Sequence, residues 1–340
     1  MTAEKTEKCA RQPFNTVLQN LEPYDLDRLT SGCPDTTGIV QLSEGRFAGR
    51  VLDLKFPGIA FCLEWCNQTI EKEVHLEDDK LTFCTFVDTP APDLSFNGVN
   101  KKNDWVLLQT RGCEDVLIFP AESTLLTVKI RKSAVREFPD FLPEITDWLQ
   151  GARAHGEFLK TKVFAYRLRE VGRVALEASQ LPGNLKRRQA FGDNLLVSLV
   201  TGLIFEWLSK QTFSTYQKPR ALELFQAARP ALLEHEGDAE PLNSCQLERL
   251  GSRRSIEKAF GKLLNMGPAK YSRIVRLNNS RRKLRDKNYA DASIGDIAAQ
   301  EGFWDWSRFT SYYRKQFDEL PSETRSRCPF TGAASDPRAA

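Results

Sequence analysis

The sequence predicts an α+β protein in which a β-domain with trailing helices precedes an all-α domain built from two helix-turn-helix units. Short alternating apolar runs fill residues 36–132, and apolar residues at a spacing of about 3.6 follow over residues 134–209. Residues 293–321 then combine a helix cap, a glycine turn and a second apolar stripe. With 340 residues, 41% of them apolar and 27% charged, the chain is long enough to bury a core in each of two domains.

Breaks in these patterns set the predicted domain boundaries. Residues 1–35 contain three prolines and no sustained period, so they are predicted to be a loosely ordered start. The remaining segments are the β-domain with its trailing helices (36–209), a linker (210–218), the all-α domain (219–328) and a disordered tail (329–340). No apolar run is long enough to span a membrane, and the N-terminus lacks the apolar region of a signal peptide. We therefore expect a cytoplasmic protein without membrane contact.

The β-domain is predicted to be a small barrel over residues 36–132. Apolar and polar residues alternate in stretches such as 49–56, and turn residues separate these stretches. A closed barrel of this size can hold one small ligand in its mouth, although no pocket residues can be named. His75 is the only histidine of the region, and the spacing of Cys62 and Cys66 is not completed by further ligands. We therefore expect no metal site and no resident cofactor.

The trailing helices are predicted over residues 134–209. Phe164, Leu168 and Val171 lie at helical spacing, and the helix over 191–208 is apolar on most sides. A helix that is apolar all round is buried. It would pack either on the barrel or in a homodimer interface.

Residues 293–321 are the most informative stretch of the chain. Ser293 is placed to cap a helix, and Gly302 ends that helix because a left-handed residue at the turn favours glycine. Asp305 or Ser307 is expected to cap the next helix, and Pro321 to close the unit. The buried face of the second helix is formed by Phe309, Tyr313 and Phe317. Its opposite face is polar and basic, at the spacing of a helix that reads DNA.

This stretch resembles the second helix-turn-helix of AraC/XylS-type transcription regulators. Tyr313 stands where the family has Phe, and Asp318 where it commonly has Gly. The resemblance implies a cupin-like effector or dimerisation domain over residues 36–209. Residues 192–196, GDNLL, further resemble the ethanolamine-operon regulator branch of the family, which implies an effector of cobalamin type. The matching positions of the family pattern are Ile297, Ala298, Gly302, Phe303, Ser307, Phe309, Phe317 and Pro321.

Residues 251–285 resemble the first helix-turn-helix of the family and its connecting helix. Ser252, Ile256 and Phe260 occupy recognition-helix positions, and the connecting helix is predicted to begin at Pro268. At 1.5 Å per residue, the connecting helix is ~27 Å long, enough to set two recognition helices in successive major grooves. An earlier helix over 220–235 should be kinked or split by its proline. The intervening helix departs from the family pattern at Cys245, Gln246 and Arg249, which predicts weaker packing of the first unit.

The resemblance assigns DNA contacts to both recognition helices. The residues predicted to read base edges are Arg254, Glu257, Lys258, Trp306, Ser307, Arg308 and Ser311. The residues predicted to contact phosphates are Arg253, Lys262, Arg281, Arg314 and Lys315. Residues 251–328 carry 17 Lys or Arg against 9 Asp or Glu, a net charge of +8, which leaves −5 for the rest of the chain. This imbalance is typical of a nucleic-acid-binding domain joined to another module.

These observations predict a sequence-specific, DNA-binding transcription regulator, a ligand-responsive activator with two reading units. Its expected partners are double-stranded DNA, RNA polymerase and a second copy of the chain, and its effector is a small molecule of unknown identity. The alternative is a non-catalytic interaction protein that keeps the fold but has weakened DNA binding. An enzyme is disfavoured, because the sequence contains no metal cluster, glycine-rich phosphate loop or nucleophile elbow.

Overall fold

A computed structural model describes most of the predicted β-domain and nearly all of the basic C-terminal region. The described residues are 25–26, 36–56, 58–88, 94–96, 99–101, 105–109, 113–135, 157–160, 162–179, 190–195, 197–199, 202, 220–233 and 249–327. The chain divides into two compact units. The first comprises Met1–Ile39 and Ala48–Pro219, and the second comprises Val40–Phe47 and Arg220–Ala340. The second unit therefore includes a short segment from the N-terminal part of the chain, which we call the strap (Val40–Phe47).

Eleven strands are described, and they form sheets of six, three and two strands. The six-stranded sheet has the order β11-β8-β5-β10-β3-β2, the three-stranded sheet β1-β4-β9, and β6 pairs with β7. Together with the helical second unit, these sheets confirm the predicted α+β class. The strands are β1 Thr36–Gln41, β2 Gly49–Phe56, β3 Ile59–Cys66, β4 Ile70–Leu76, β5 Lys80–Asp88, β6 Leu94–Phe96, β7 Val99–Lys101, β8 Trp105–Gln109, β9 Cys113–Phe119, β10 Ser123–Arg131 and β11 Glu157–Lys160.

Helix α2 (Lys162–Ser179) packs against the six-stranded sheet, while α1 (Lys132–Val135) is a single turn that follows β10. Phe164 and Leu168 of α2 are fully buried, and the Phe164 ring meets that of Phe83 at 5.4 Å between centroids. Burying side chains of this size contributes roughly 1.5–3 kcal/mol each. This apolar layer is the core that fixes the first unit.

Strand β3 is buried on both faces, and the two faces differ in chemistry. Phe61 and Leu63 join the apolar core, whereas Cys62 and Glu64 point to the opposite face. There Glu64 accepts a hydrogen bond of 2.7 Å from the Lys72 ammonium group of β4, and both side chains are almost fully buried. Removing one member of such a pair would leave an uncompensated charge in the interior.

Two segments of the first unit differ from the sequence-based expectation. Residues 157–160 were expected to be helical but form β11, because they pair with β8 at the edge of the six-stranded sheet. Strand β4, IEKEVHL, has too many charged residues to be recognised from an apolar run, yet Glu71 and Lys72 within it are buried. Residues 190–195 and 197–199 are helical, as predicted for 191–208. The first predicted trailing helix, the N-terminal segment apart from residues 25–26, the linker and the C-terminal tail lie outside the described residues.

The described residues of the second unit form helices and the turns between them, apart from the strap. Two proline predictions are wrong at least in part. Helix α3 continues through Pro230 and is not split there, which leaves the kink a prediction, and Pro321 does not close the unit but occupies the first turn of a further helix. Proline fits there because a first-turn N–H has no intrahelical acceptor. The helices are α3 Arg220–Leu233, α4 Arg253–Leu264, α5 Pro268–Arg285, α6 Ile294–Gln300, α7 Trp306–Phe317 and α8 Pro321–Ser326.

Among the helices described, none combines the length and the apolar character needed to cross a bilayer.

Candidate nucleic-acid interface

Helix α6 begins at a complete capping box. The Ser293 hydroxyl accepts a bond of 3.0 Å from the Asp296 N–H, and the Asp296 carboxylate accepts one of 3.2 Å from the Ser293 N–H. These bonds satisfy donors that a helix start leaves unpaired. The Ser293 hydroxyl also donates to the Asp296 carboxylate at 2.7 Å, and this bond is the chief cause of the lowered pKa of Asp296, followed by the bond from the Ser293 N–H. The predicted cap is confirmed, and its reciprocal partner Asp296 is an addition from the structure.

The turn after α6 is closed by Gly302. Its φ angle is 75°, in the left-handed region that favours glycine. The N–H of Gly302 donates to the Ala299 carbonyl and that of Phe303 to the Ala298 carbonyl, both at 2.9 Å. This pair of bonds is a Schellman motif, which ends a helix and redirects the chain. It brings Phe303 into the core beside Phe309, with 5.1 Å between the ring centroids.

Helix α7 is the predicted recognition helix of the second head, by which we mean α6, α7 and α8. Asp305 caps it by accepting a bond of 3.0 Å from the Arg308 N–H. Phe309, Tyr313 and Phe317 are buried on one face, as predicted. The helix ends at Asp318, which adopts a left-handed conformation with φ of 55° where the family commonly has glycine.

The outer face of α7 is available to a partner. Trp306, although large and apolar, is 50% exposed, and Arg308 contacts only the nearby Asp305 at 3.4 Å among the ion pairs described. The carboxylate of Asp305 therefore steadies both the helix start and the guanidinium group beside it. The predicted contact residues exposed on this face are Trp306, Ser307, Arg308, Ser311, Arg314 and Lys315.

Helix α5 holds the second head by its polar side chains. The Arg276 guanidinium lies 4.8 Å from the Phe303 ring centroid and donates to the carbonyls of Glu301 and Gly302 at 3.3 and 3.2 Å. Lys283 forms an ion pair of 2.8 Å with Glu301. Both contacts fasten the turn between the two helices of the motif, so the connecting helix positions the recognition helix directly.

Arg281 is a correction to the predicted phosphate contacts. Only 8% of it is exposed, and its Nε donates to Glu319 at 3.0 Å while its guanidinium lies 5.3 Å from the Phe317 ring centroid. Glu319 also pairs with Arg327 and accepts a bond of 2.7 Å from the Thr324 hydroxyl. A guanidinium held this way is not presented to a DNA backbone. Arg281 stabilises the second head from inside.

Tyr313 extends the same buried network. Its hydroxyl shares a hydrogen bond of 2.8 Å with Thr324 of α8. Burial raises the pKa of Tyr313, so its hydroxyl stays protonated. The polar residues Arg281, Glu319, Thr324 and Tyr313 thus join α5, α7 and α8.

The first head, by which we mean α3 and α4, is held differently. Phe225 of α3, Phe260 of α4 and Tyr271 of α5 form an aromatic trio with centroid separations of 5.0, 5.5 and 5.3 Å. All three side chains are fully buried. Edge-to-face pairs of this kind add about 0.5–1.5 kcal/mol each beyond their area burial.

Helix α4 presents the predicted contact residues of the first head to solvent. Ser252 caps it by accepting a bond of 3.2 Å from the Ser255 N–H, a role that was not predicted from the sequence. Arg253 and Glu257 form an ion pair of 3.0 Å across one turn, joining a predicted phosphate contact to a predicted base contact. Residues 241–248, which include two of the three departures from the family pattern, lie outside the described residues. The exposed set is Arg253, Arg254, Glu257, Lys258 and Lys262.

The strap reaches the second head through a buried amide cluster. The Asn278 side chain accepts a bond of 2.9 Å from the Gln41 N–H and donates one of 3.1 Å to the Gln41 carbonyl. Gln316 of α7 donates to the carbonyls of Gln41 and Ser43 at 2.9 and 3.0 Å. Gln41, Asn278 and Gln316 are each at most 3% exposed. Gln41 is therefore an anchor for the strap in the second unit.

The strap also borders the outer face of α7. A groove of about 890 Å³ lies between them, and its walls include Glu44 and Gly45. The α7 side of the groove, with the turn after it, consists of Trp306, Ser307, Thr310, Ser311, Arg314, Lys315, Asp318 and Leu320.

Sequence reasoning missed these strap residues and Gln316. Gln316 did carry a signal: it lies seven residues after Phe309 and three after Tyr313, at a core position of α7 where a polar residue needs a buried partner. Glu44 carried none, because nothing local in residues 40–47 indicates packing against a helix that lies far along the chain.

Comparisons with known proteins agree with this geometry. Residues 251–327 match the family described as Helix-turn-helix domain. Over 89 residues the chain is 37% identical to the XylDLEGF operon transcriptional activator 3 of Pseudomonas putida, covering 25% of this chain and 27% of that one. It is 31% identical over 93 residues to the Probable thc operon regulatory protein of Rhodococcus erythropolis, covering 27% and 28%. The chain thus spans about a quarter of these curated relatives.

Solved structures overlap with the chain more widely but loosely. ToxT from Vibrio cholerae covers 86% of this chain and 98% of its own, at 12% identity and a TM-score of 0.26. The AraC-like transcriptional activator CuxR covers 68% and 80%, at 10% identity and a TM-score of 0.31. Overlap at these scores carries no argument about function. The firmer likeness is to the helix-turn-helix domain over residues 251–327 and, over short stretches of the chain, to curated transcriptional regulators.

Proposed function

We propose that this protein is a sequence-specific, DNA-binding transcription regulator that reads two successive major grooves with α4 and α7. The observation that carries the proposal is the division of α7 into two faces. One is locked in the core by three aromatic residues, and the other exposes Trp306, Arg308, Ser311 and Lys315. A rigid helix with a polar, basic outer face is what base readout in the major groove requires.

Affinity and specificity would come from different side chains. Arg253, Lys262, Arg314 and Lys315 would neutralise phosphates, since each is exposed on a recognition helix. The base-reading set is Arg254, Glu257, Lys258, Trp306, Ser307, Arg308 and Ser311. Four phosphate contacts predict that the logarithm of the binding constant falls with a slope of ~−3.6 against the logarithm of salt concentration.

The regulatory side of the proposal rests on the family. A ligand-responsive activator would hold its small-molecule effector in the first unit, act as a homodimer and contact RNA polymerase. Its compartment would be the cytoplasm, where bacterial relatives of this kind meet DNA. The cobalamin-type effector implied by the resemblance of residues 192–196 stays a prediction.

Binding of the purified full chain to fragmented DNA from its own source, at physiological salt, tests the proposal. The expected result is a small number of enriched sites, each with two half-elements about 10 base pairs apart. Enrichment of a single element would limit sequence reading to one head. Binding without any enriched element would contradict specific recognition, and an absence of binding at every salt concentration would contradict the proposal itself.

A further inference from the structure

The strap brings a negative charge to the outer face of α7. Glu44 forms ion pairs with Lys315 of α7 at 3.2 Å and with Lys270 of α5 at 3.7 Å. The two lysine side chains are 69% and 47% exposed, and Glu44 is 38% exposed. Lys315 is one of the proposed phosphate contacts, so its ammonium group already has a carboxylate partner where a DNA phosphate would approach.

The placement of Glu44 does not depend on its own charge. The strap is anchored on both sides of it, by Gln41 in the amide cluster and by the Gly45 N–H, which donates to the Gln316 carbonyl at 3.0 Å. Val40, Leu42 and Phe47 are buried and add apolar anchorage. Glu44 can therefore be changed without detaching the strap.

Backbone conformation supports the same arrangement. Gly45 has a φ angle of 119°, which a residue with a side chain rarely adopts. The glycine turns the strap so that Glu44 and Gly45 both line the groove beside α7. Arg46, the other charged residue of the strap, is exposed but is not part of the groove wall.

We propose that Glu44 is part of the DNA-reading site, as a counter-charge that a DNA phosphate must displace from Lys315 and Lys270. This inference rests on the proposed DNA-binding function and deepens it. Glu44 lowers the affinity of the second head for any duplex. Because phosphate contacts carry no sequence information, Glu44 lowers specific and random affinity alike and leaves the preference between sequences unchanged.

The expected size of the effect follows from the exposure of the three side chains. Exposed ion pairs are weak, so replacing Glu44 by Gln should tighten binding by about three- to tenfold. Because Lys270, which is not among the four phosphate contacts already counted, also becomes available to neutralise a phosphate, the salt slope should steepen by about one. Both changes should be the same on specific and on random duplexes.

The test measures fluorescence anisotropy of labelled duplexes with the full chain over a salt series. Glu44→Gln should bind every duplex more tightly, whereas Glu44→Asp, which keeps the charge, should stay near the wild type. Glu223→Gln on α3 is a matched control that removes one exposed carboxylate elsewhere in the second unit. In a Lys315→Gln background, the gain from Glu44→Gln should fall by at least half. Circular dichroism and thermal unfolding check that every variant is folded.

The outcomes separate this inference from the function on which it rests. If the wild type binds DNA and Glu44→Gln gains no more than Glu223→Gln, the role of Glu44 is refuted while the regulator proposal stands. The same holds if the gain is undiminished by Lys315→Gln, since net charge alone would then explain it. If the wild type binds no duplex at any salt concentration, the proposed function fails and this inference fails with it.

Discussion

The two heads hold their outward-facing helices, α4 and α7, in place by different interactions. In the first, α4 is fixed by the aromatic trio of Phe225, Phe260 and Tyr271. In the second, α7 has an aromatic stripe too, but it is also tied to its neighbours by buried charges and amides, among them Arg281, Glu319 and Gln316. Apolar packing is non-directional and tolerates conservative changes, whereas a buried polar network requires every partner.

The two heads should therefore respond differently to equally conservative substitutions. In the second head, removing one partner of the polar network should cause a large loss of unfolding free energy. In the first head, a smaller apolar side chain should cause only a modest loss. Four measurements follow, in order of decreasing expected effect.

Glu319→Gln should be the most destabilising of these changes. It keeps the shape of the side chain but leaves Arg281 buried without its carboxylate, and breaking such a pair costs about 3–5 kcal/mol of unfolding free energy. Urea denaturation followed by circular dichroism measures the loss. Glu223→Gln on α3 is a suitable control because Glu223 is exposed. A loss below about 1 kcal/mol would mean that the network is not what fixes the second head.

Arg308→Ala tests base reading by the second head, and Arg254→Ala tests it by the first. Each should cost about 1–3 kcal/mol on the specific site and relax the preference at one base, because a bidentate contact is lost. Competition assays with single-base variants of the site measure the change. Equal losses on specific and random duplexes would assign that arginine to phosphate contact instead.

Phe260→Leu should cost only about 1–2 kcal/mol, because the aromatic trio can close around a smaller apolar side chain. Urea denaturation under the conditions used for Glu319→Gln gives the direct comparison. If Phe260→Leu lowers the unfolding free energy as much as Glu319→Gln does, the two heads do not differ in how sensitive they are to conservative substitution.

Ser293→Ala should have the smallest effect, about 1 kcal/mol, through loss of the α6 cap. Ser293 also holds the pKa of Asp296 below its usual value. A lowered folded-state pKa stabilises the protein above the unfolded-state pKa near 3.8, and that stabilisation is lost as pH falls through the lowered value. The difference in melting temperature between wild type and variant should therefore narrow between pH 5 and strongly acidic pH. Ser252→Ala, whose cap in the first head has no reciprocal carboxylate, should show no such narrowing.

Much of the second head could be predicted because its signals are local. Ser293, Gly302 and Asp305 act on backbone groups about three residues away or less. Apolar residues at four-residue spacing also show directly which face of the helix is buried. The same reasoning placed the start of α5 at Pro268.

What was missed depends on distant partners. Arg281 is a basic residue of the kind that contacts phosphates, and it can be buried only because Glu319, 38 residues later in the chain, pairs with it. Strand β4 has a charged sequence whose burial is possible because Lys72 meets Glu64. Asn278 looks like a surface amide until residue 41 is placed beside it, and the spacing of Gln316 indicates a buried position but not the partner that it meets there. Pairings of this kind leave no periodic trace in the sequence.

The strap has a consequence for how the protein is made. Gln41 bonds to residues 237 and 275 positions later in the chain. At a synthesis rate of about 5–20 residues per second, Gln41 is synthesised many seconds before α7 leaves the ribosome, and it must wait for its partners. Closing so long a loop costs little more than closing a shorter one, since each doubling adds about 0.6 kcal/mol. The long separation therefore delays folding without costing much stability. In a nascent chain, the groove between the strap and α7 can form only after α7 has been synthesised.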